Sequence, residues 1–262
     1  MRKFLTISIV LVILVGCSSP QAEPSEVPEV PQVPTSEPAS TTAPADTPSP
    51  TETTAPTTTP EPTTTPLPEG VLFRDDFNGD ISVEWDIQNE NSDKWTLTDD
   101  GWLQIVGEQN SLLGEEYQTN LFWHALPEGD FVITTHLKTK PFENFHQSAL
   151  FIYEDPENYI AINRGFCDVC STGGGGFYMD YKISGVTGAY ASATDAEDVY
   201  LRLESKDGMI TGYYATQPDQ WQRLGRFGNY FKFTRVGIGV SNVRATDDLV
   251  GLFDSFEISK PE

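Results

Sequence analysis

Over most of its second half, the chain alternates apolar and polar residues with the two-residue period of β-strands. Eight runs of seven to nine residues are rich in β-branched and aromatic side chains and are separated by turn residues. They predict strands at 131–138, 149–155, 158–165, 176–184, 199–205, 209–216, 235–242 and 251–259. No long stretch carries the 3.6-residue apolar period of a helix. The pattern therefore predicts an all-β fold of two packed antiparallel sheets.

Two turns and one hairpin can be predicted in more detail. Lys206-Asp207-Gly208 and Thr98-Asp99-Asp100-Gly101 each predict a tight turn, since Asp-Gly supplies the positive φ that such turns need. If residues 154–158 form a hairpin loop, alternation fixes the register of the flanking strands. One side then pairs Ile152 with Ile160 and Leu150 with Ile162; the other pairs Tyr153 with Tyr159, Phe151 with Ala161 and Ala149 with Asn163.

The two sides of this hairpin differ in chemistry. The leucine and isoleucine side is the predicted core. The other side offers rings that can stack on the C–H surfaces of a sugar and polar groups that can meet its hydroxyls. The alternative is a second apolar layer covered by loops, and the sequence leaves both open.

The N-terminus has the pattern of a secretory signal. Arg2 and Lys3 precede the apolar segment 4–15, which is shorter than the roughly 20 residues that span a bilayer. Leu14-Val15-Gly16-Cys17 resembles the lipobox of bacterial lipoproteins. We therefore expect residues 1–16 to be a signal peptide and Cys17 to be lipidated, against the alternative of a plain signal peptide with an incidental cysteine.

Residues 17–69 have the composition of a disordered tether. From Ser18 to Glu69 the chain has no Lys, Arg, Phe, Trp or Tyr, and it holds 14 of the 19 prolines. So little apolar surface cannot offset the entropy cost of ordering. The threonines allow either O-glycosylation or a bare spacer.

Charge narrows the range of partners. Residues 70–262 form one predicted domain with 31 acidic and 14 basic side chains. This acidic balance repels phosphate backbones, so we expect no nucleic-acid partner, and we expect membrane contact through the N-terminal lipid alone. We expect a monomer.

Five segments carry a resemblance to a known family. They are "LFRDDFNGDISVEWDI", "KWTLTDDGWLQI", "LPEGDFVITTHLK", "QSALFIYEDPENYIAINRG" and "LFDSFEI". In this order they resemble the concanavalin A-like jelly-roll domains at the C-termini of β-xylosidase-type glycosidases and bacterial surface domains of the DUF1349 kind. The resemblance implies a jelly-roll sandwich over 70–262. It does not imply one function, because this fold hosts lectins, glycanases and accessory modules.

We expect no catalytic residues. Retaining glycanases of this superfamily resemble one another in a Glu-x-Asp-x-Glu strand, and the nearest match is Glu84-Trp85-Asp86-Ile87-Gln88, whose last position cannot act as an acid. Nor does the sequence contain Gly-x-Ser-x-Gly. The alternative is a glycoside hydrolase with divergent carboxylates.

Cys167 and Cys170 form "CDVC" before a glycine run. In an oxidising compartment a local disulfide is the favoured interpretation, with two free thiols as the alternative. Zinc would need two further ligands, and no second cysteine pair exists.

The remaining site predictions concern calcium and sugar. Asp76 and Asp254 resemble positions at which jelly rolls of this superfamily hold one structural calcium, with an unoccupied aspartate pair as the alternative. For sugar we predict a concave sheet face that carries His136, Tyr153, Tyr159, Tyr178 and Asp180, with Gln147 and Arg164 at its rim.

Together these features predict a lipid-anchored protein on the extracytoplasmic side of the cell membrane, whose jelly-roll domain binds a polysaccharide or glycan. A divergent glycoside hydrolase and a structural or protein-interaction module of the envelope are the alternatives.

Overall fold

The computed structural model describes residues 66–109, 118–243 and 245–262. The predicted signal peptide, the lipidated Cys17 and most of the predicted tether lie outside these residues. Within the described ranges, no helix is long and apolar enough to cross a membrane. Fifteen strands are described there: β1 Val71–Asp75, β2 Asp86–Gln88, β3 Trp95–Leu97, β4 Leu103–Gly107, β5 Leu121–Ala125, β6 Phe131–Thr139, β7 His146–Asp155, β8 Asn158–Cys167, β9 Gly174–Ile183, β10 Val186–Ala193, β11 Asp198–Lys206, β12 Met209–Ala215, β13 Gln222–Gly228, β14 Arg235–Asn242 and β15 Leu249–Ser259.

The strands form two antiparallel sheets. The eight-stranded sheet has the order β13-β12-β11-β6-β15-β4-β3, with β1 also paired to β15. The seven-stranded sheet has the order β10-β9-β8-β7-β14-β5-β2. The only helical segment among the described residues is a 3-10 turn at Ser92–Lys94. The all-β prediction of two packed sheets is therefore confirmed.

The core lies between the two sheets and follows from strand alternation. On β6 and β11, alternate residues such as Ile133, Leu137 and Leu201 are fully buried, while their neighbours face outward. The seven-stranded sheet contributes Leu150 and Ile162 to the same core. Period-two patterning thus places one apolar face of each sheet inward.

All eight predicted strands are present, with ends that differ from the prediction by at most three residues. The predicted hairpin register is also confirmed, since Tyr153 pairs with Tyr159 and Phe151 with Ala161. Its leucine and isoleucine side lies in the core. At the predicted Asp207-Gly208 turn both residues have positive φ, 52° and 70°. Such a pair of angles defines the primed turn that joins twisted strands.

The entry segment is held by one buried carboxylate. Asp75 accepts hydrogen bonds from the backbone N–H of Phe77 (2.9 Å), from that of Ser82 (3.0 Å) and from the indole N–H of Trp85 (2.8 Å). Phe77 takes a left-handed φ of 54° and is fully buried. The Asp-Asp-Phe motif and the tryptophan ten residues after Asp75 therefore serve the fold.

A bulge explains the Phe-Asp-x-Phe motif of the last strand. Phe253 and Phe256 are both buried, although they lie three residues apart. The pairing of β15 with β6 shifts between Phe253 and Ser255, so Asp254 is an extra residue in the ladder. Bulges of this kind redirect side chains, and here the carboxylate of Asp254 reaches His136 on the outer face.

Candidate ligand-binding site

Most of the predicted sugar-site residues share the outer face of the seven-stranded sheet. This follows from the register, in which Tyr153 lies opposite Tyr159 and Asp180 lies opposite Ala161. Odd-numbered residues on β7 and β8 and even-numbered residues on β9 therefore point away from the core. The predicted residues on this face are Gln147, Tyr153, Tyr159, Tyr178 and Asp180.

A carboxylate and two amides form a network at the middle of this face. Oδ2 of Asp180 accepts one hydrogen bond from Nε2 of Gln147 (2.9 Å) and one from Nδ2 of Asn163 (2.8 Å). Asn163 is fully buried, and no described donor reaches its Oδ1. Gly165 is needed beside it, because a Cβ there would lie 2.7 Å from that oxygen. The network therefore encloses an amide oxygen that has no donor among the described residues.

Burial raises the pKa of Asp180 to about 6, although the hydrogen bonds from Asn163 and Gln147 act in the opposite direction. The carboxylate is therefore charged at neutral pH and takes up a proton in mildly acidic solution. A carboxylate with a raised pKa on an accessible face is a common feature of functional sites.

Two tyrosines stand beside the network. Tyr153 and Tyr159 form a cross-strand pair and are half-buried. Burial raises the pKa of both hydroxyl groups, so they stay protonated and can donate hydrogen bonds. We call Gln147, Tyr153, Tyr159, Asn163 and Asp180 the tyrosine–amide face.

The remainder of the sheet surface beside these tyrosines is a closed apolar layer. Trp123 and Phe151 pack with ring centroids 4.8 Å apart and are almost fully buried. The guanidinium of Arg235 lies over Trp123 (4.6 Å) and Tyr153 (5.1 Å). Gly237 makes room for this layer, because a Cβ there would lie 2.3 Å from the backbone oxygen of Phe122. A second apolar layer is thus present on this side of the hairpin, whereas sugar binding there stays a prediction.

Tyr178 lies on the same side of the sheet but is almost fully buried. Its hydroxyl donates to the backbone oxygen of Gly174 (2.8 Å) and contacts the hydroxyl of Thr172. The adjoining loop is joined by a disulfide between Cys167 and Cys170. Tyr178 therefore holds this loop and presents little surface to a ligand.

Arg164 is not at the rim, and that part of the prediction is wrong. It alternates with Ile160 and Ile162, so it points between the sheets and is almost fully buried. Its guanidinium donates to the backbone oxygens of Ala196 (2.7 Å) and Gly165 (2.6 Å). These carbonyls accept hydrogen bonds from the buried guanidinium, while burial lowers the pKa of Arg164.

His136 is also misplaced by the prediction, because it lies on the outer face of the opposite sheet. It is on β6, and its imidazole is held between Asp254 (2.9 Å) and Asp198 (2.7 Å). Burial alone would raise the pKa of Asp198, but the hydrogen bond and charge of His136, with Lys138, lower it. Alternation shows which residues of a strand share a face, but not to which sheet the strand belongs.

The predicted calcium ligands are each engaged by a cation or a histidine. Asp76 accepts a hydrogen bond from Arg74 (2.8 Å), and Asp254 is bonded to His136. Among the described residues no group of three or more His, Cys, Asp or Glu is arranged to hold a metal ion. This donor set is a poor match for a cation that prefers several free oxygen ligands, and calcium at this position stays a prediction.

The two acidic residues of the entry segment, Glu84 and Asp86, lie on either side of a buried tryptophan. Glu84 and Asp86 are exposed, while Trp85 between them is buried. The carboxylate of Glu84 lies 3.4 Å from Nε2 of His124, and Asp86 pairs with Trp123 on the seven-stranded sheet.

Sequence reasoning missed several residues around the site. Asn163 was assigned to the correct side of the hairpin, but its role in the amide network depends on a diagonal contact between three strands. Trp123 was not predicted as part of the site, because residues 121–123 are all buried and β5 therefore shows no alternation. Its proximity to Tyr153 (5.3 Å between ring centroids) depends on β14, which separates their strands.

This architecture, two antiparallel sheets around one core with a polar and aromatic outer face, defines a concanavalin A-like jelly-roll domain. The sequence pattern of the β-xylosidase C-terminal concanavalin A-like domain matches residues 74–240. The chain belongs to this family. No curated protein sequence matches it.

Solved structures with the same fold include several glycoside hydrolases. The GH43 protein BlXynB of Bacillus licheniformis is 17% identical with a TM-score of 0.64, and the match covers 72% of this chain and 39% of that one. A xylan β-1,4-xylosidase of Bacillus halodurans C-125 is 19% identical with a TM-score of 0.60, covering 78% and 41%. The β-glucanase of Bacillus licheniformis is 12% identical with a TM-score of 0.53, covering 74% and 100%. The chain thus spans about two fifths of the first two proteins, and these likenesses concern the fold.

Proposed function

We propose that this chain is a surface-anchored lipoprotein whose jelly-roll domain binds carbohydrate without cleaving it. The observation that carries the proposal is the tyrosine–amide face, where two half-buried tyrosine rings adjoin a carboxylate and two amides. Sugars present C–H surfaces that stack on aromatic rings and hydroxyls that need both donors and acceptors.

Each group on this face has a defined part in such binding. Asn163 is fully buried, and it holds the carboxylate of Asp180 in place together with Gln147, since both amides donate to it. The charged carboxylate of Asp180 accepts a hydrogen bond from a sugar hydroxyl, and the protonated hydroxyls of Tyr153 and Tyr159 donate. Charge-assisted bonds to the carboxylate are the stronger of these.

The surroundings of Asp180 favour binding over hydrolysis. Glycosidases need two carboxyl groups, about 5 Å apart in retaining enzymes and roughly 6.5–9.5 Å apart in inverting ones. The hydrogen-bond partners of Asp180 are amides, and its raised pKa arises from burial rather than from a second acid. A hydrolase that uses Glu84 or Asp86 is the second candidate, because both carboxylates are exposed beside the same sheet edge.

The anchor rests on the N-terminal sequence. Lipidation of Cys17 after removal of residues 1–16 would place several acyl chains on one residue, which is enough for stable attachment to a membrane. Mass spectrometry of the mature N-terminus tests this part separately. A Cys17→Ser variant should appear in the soluble fraction, and an unmodified N-terminal cysteine in the natural chain would contradict the anchor.

The binding proposal is tested by incubating the full chain with insoluble xylan and β-glucan, since these correspond to the named activities of two structural neighbours. Parallel tubes contain chelator, and reducing sugar is measured in each. We expect the chain to bind with no release of sugar. Loss of binding on chelation would support the predicted calcium.

Matched variants locate the site. Tyr159→Ala should weaken binding at least tenfold, whereas Tyr230→Ala, which removes a tyrosine that is 90% exposed on a loop, should not. Release of sugar that disappears in Glu84→Gln or Asp86→Asn would favour the hydrolase. No binding to any polysaccharide would overturn the proposal in favour of a structural or protein-interaction module.

A further inference from the structure

The eight-stranded sheet carries a groove on its outer face, on the side of the sandwich opposite the tyrosine–amide face. Its volume is about 960 Å³. That volume lies at the upper end of the range in which proteins bind small molecules. The groove is lined in part by Thr134, His136, Tyr200, Arg202, Trp221 and Asp254, and we call it the eight-stranded groove.

One wall of the groove is aromatic. Tyr200 stacks on His136 with ring centroids 4.2 Å apart and planes 7° from parallel. Trp221 stands nearly perpendicular to Tyr200, at 86° and 6.5 Å. Both side chains are partly exposed. Two rings at right angles can contact two faces of a bent oligosaccharide, because each ring covers one C–H surface.

The polar lining contains an unpaired donor. Nη2 of Arg202 donates to Glu204 (2.6 Å), and its guanidinium lies 5.7 Å from the ring of Trp221. The Nε of Arg202 is enclosed and has no described acceptor. A buried donor without an acceptor costs free energy. Because the Arg202 side chain is partly exposed, its rotation would bring this donor to a hydroxyl oxygen of a ligand in the groove.

The charge of the lining limits the class of ligand. Five acidic side chains line the groove against three basic ones. Two of the bases are already paired, Arg74 with Asp76 and Glu257, and Arg202 with Glu204. The residual potential is therefore negative and repels carboxylate and phosphate groups.

From the aromatic wall, the unpaired donor and the negative potential, we propose that the eight-stranded groove is a second carbohydrate-binding site, which accepts non-acidic oligosaccharides and excludes uronic acids. With the tyrosine–amide face on the other sheet, the domain would hold two glycan segments at once. The second site does not depend on the first.

Calorimetric titration of the full chain with hexamers of xylose, glucosamine and galacturonic acid tests the proposal. We expect Trp221→Ala to weaken binding of the xylose or glucosamine hexamer at least tenfold at one site, and Tyr230→Ala to leave it unchanged. Tyr159→Ala should leave that site intact. If the tyrosine–amide face binds nothing, a single site sensitive to Trp221 remains, so the two proposals fail separately.

A second variant guards against misfolding of Trp221→Ala. Asp219 lines the groove with a positive φ of 60°, a conformation that asparagine tolerates. Asp219→Asn should weaken binding of the glucosamine hexamer by roughly two- to fivefold and leave the xylose hexamer unaffected. Binding of the neutral and amino hexamers that is indifferent to both variants, or equally tight binding of galacturonate, would overturn the proposal.

Discussion

The two outer faces of the sandwich enclose the same core but present opposite surfaces. On the seven-stranded sheet, Phe151 and Trp123 are buried in a second apolar layer, and polar groups occupy one side of it. On the eight-stranded sheet, His136 and Arg202 are paired with acids around an open groove. The same period-two pattern therefore builds a closed apolar layer beside the tyrosine–amide face on one sheet and an open groove on the other.

The size of the residues on the central strands accounts for the difference. β14 places Gly237 outward, and its missing side chain lets the neighbouring rings lie close to the sheet. β11 places Tyr200 and Arg202 outward, and their long side chains form the walls of a groove. Glycine at a strand centre thus marks close packing from a neighbour.

The largest expected effect is on the closed face. Phe151→Ala removes a fully buried ring and should lower the free energy of unfolding by about 3–5 kcal/mol, as in a core. Tyr200→Ala on the open face should cost clearly less, because that ring is partly exposed. Urea unfolding of both variants checks this contrast, and equal losses would contradict it.

Gly237→Ala tests the role of the glycine directly. The added methyl group would meet the backbone oxygen of Phe122 at 2.3 Å, and backbone cannot rotate away. We expect a loss of about 1–3 kcal/mol in the free energy of unfolding, in the range of overpacked cores. A variant as stable as the natural chain would show that the strands separate easily at this point.

Asp180→Asn should change how stability depends on pH. The raised pKa means that the folded state binds more protons than the unfolded state between about pH 4 and pH 6. Asp180 therefore contributes most to the free energy of unfolding at low pH. This contribution is lost as the pH rises through that window, by up to about 3 kcal/mol.

The asparagine variant lacks this titration. The free energy of unfolding of the natural chain, relative to that of the variant, should therefore fall from pH 4 to pH 7 and then level off. Thermal unfolding at several pH values measures it. A constant difference would mean that the carboxylate is better solvated than the structure indicates.

The smallest effect is expected for the ion pair at the edge of the open groove. Arg74 and Glu257 are 3.0 Å apart and partly exposed. Glu257→Gln should cost less than about 1 kcal/mol, and the loss should shrink further in salt. A larger, salt-insensitive loss would show that this face is as tightly packed as the other.

Local periodicity was enough to predict most of the fold. The register of the 149–163 hairpin and the Asp207-Gly208 turn follow from a few adjacent residues. The short strands β2 and β3, three residues each, have too few positions to show a pattern.

The site was harder to predict because it depends on contacts between distant strands. Alternation assigned Tyr159 and Asp180 to one face correctly, yet it could not show that His136 belongs to the other sheet. The charge of Arg164 favours a polar rim position, but the backbone carbonyls of Ala196, Gly165 and Gly176 accept its hydrogen bonds and allow it to be buried. Such partners are not visible in the sequence around it.

Sugar binding at the tyrosine–amide face can be followed through the side-chain amide signals of Asn163 and Gln147, because both amides donate to the carboxylate of Asp180. We would titrate the isotope-labelled chain with xylose hexamer and follow these signals by nuclear magnetic resonance. We predict that both signals shift and saturate together, and that neither shifts in Tyr159→Ala. Saturable binding that leaves both amide signals unmoved would contradict it.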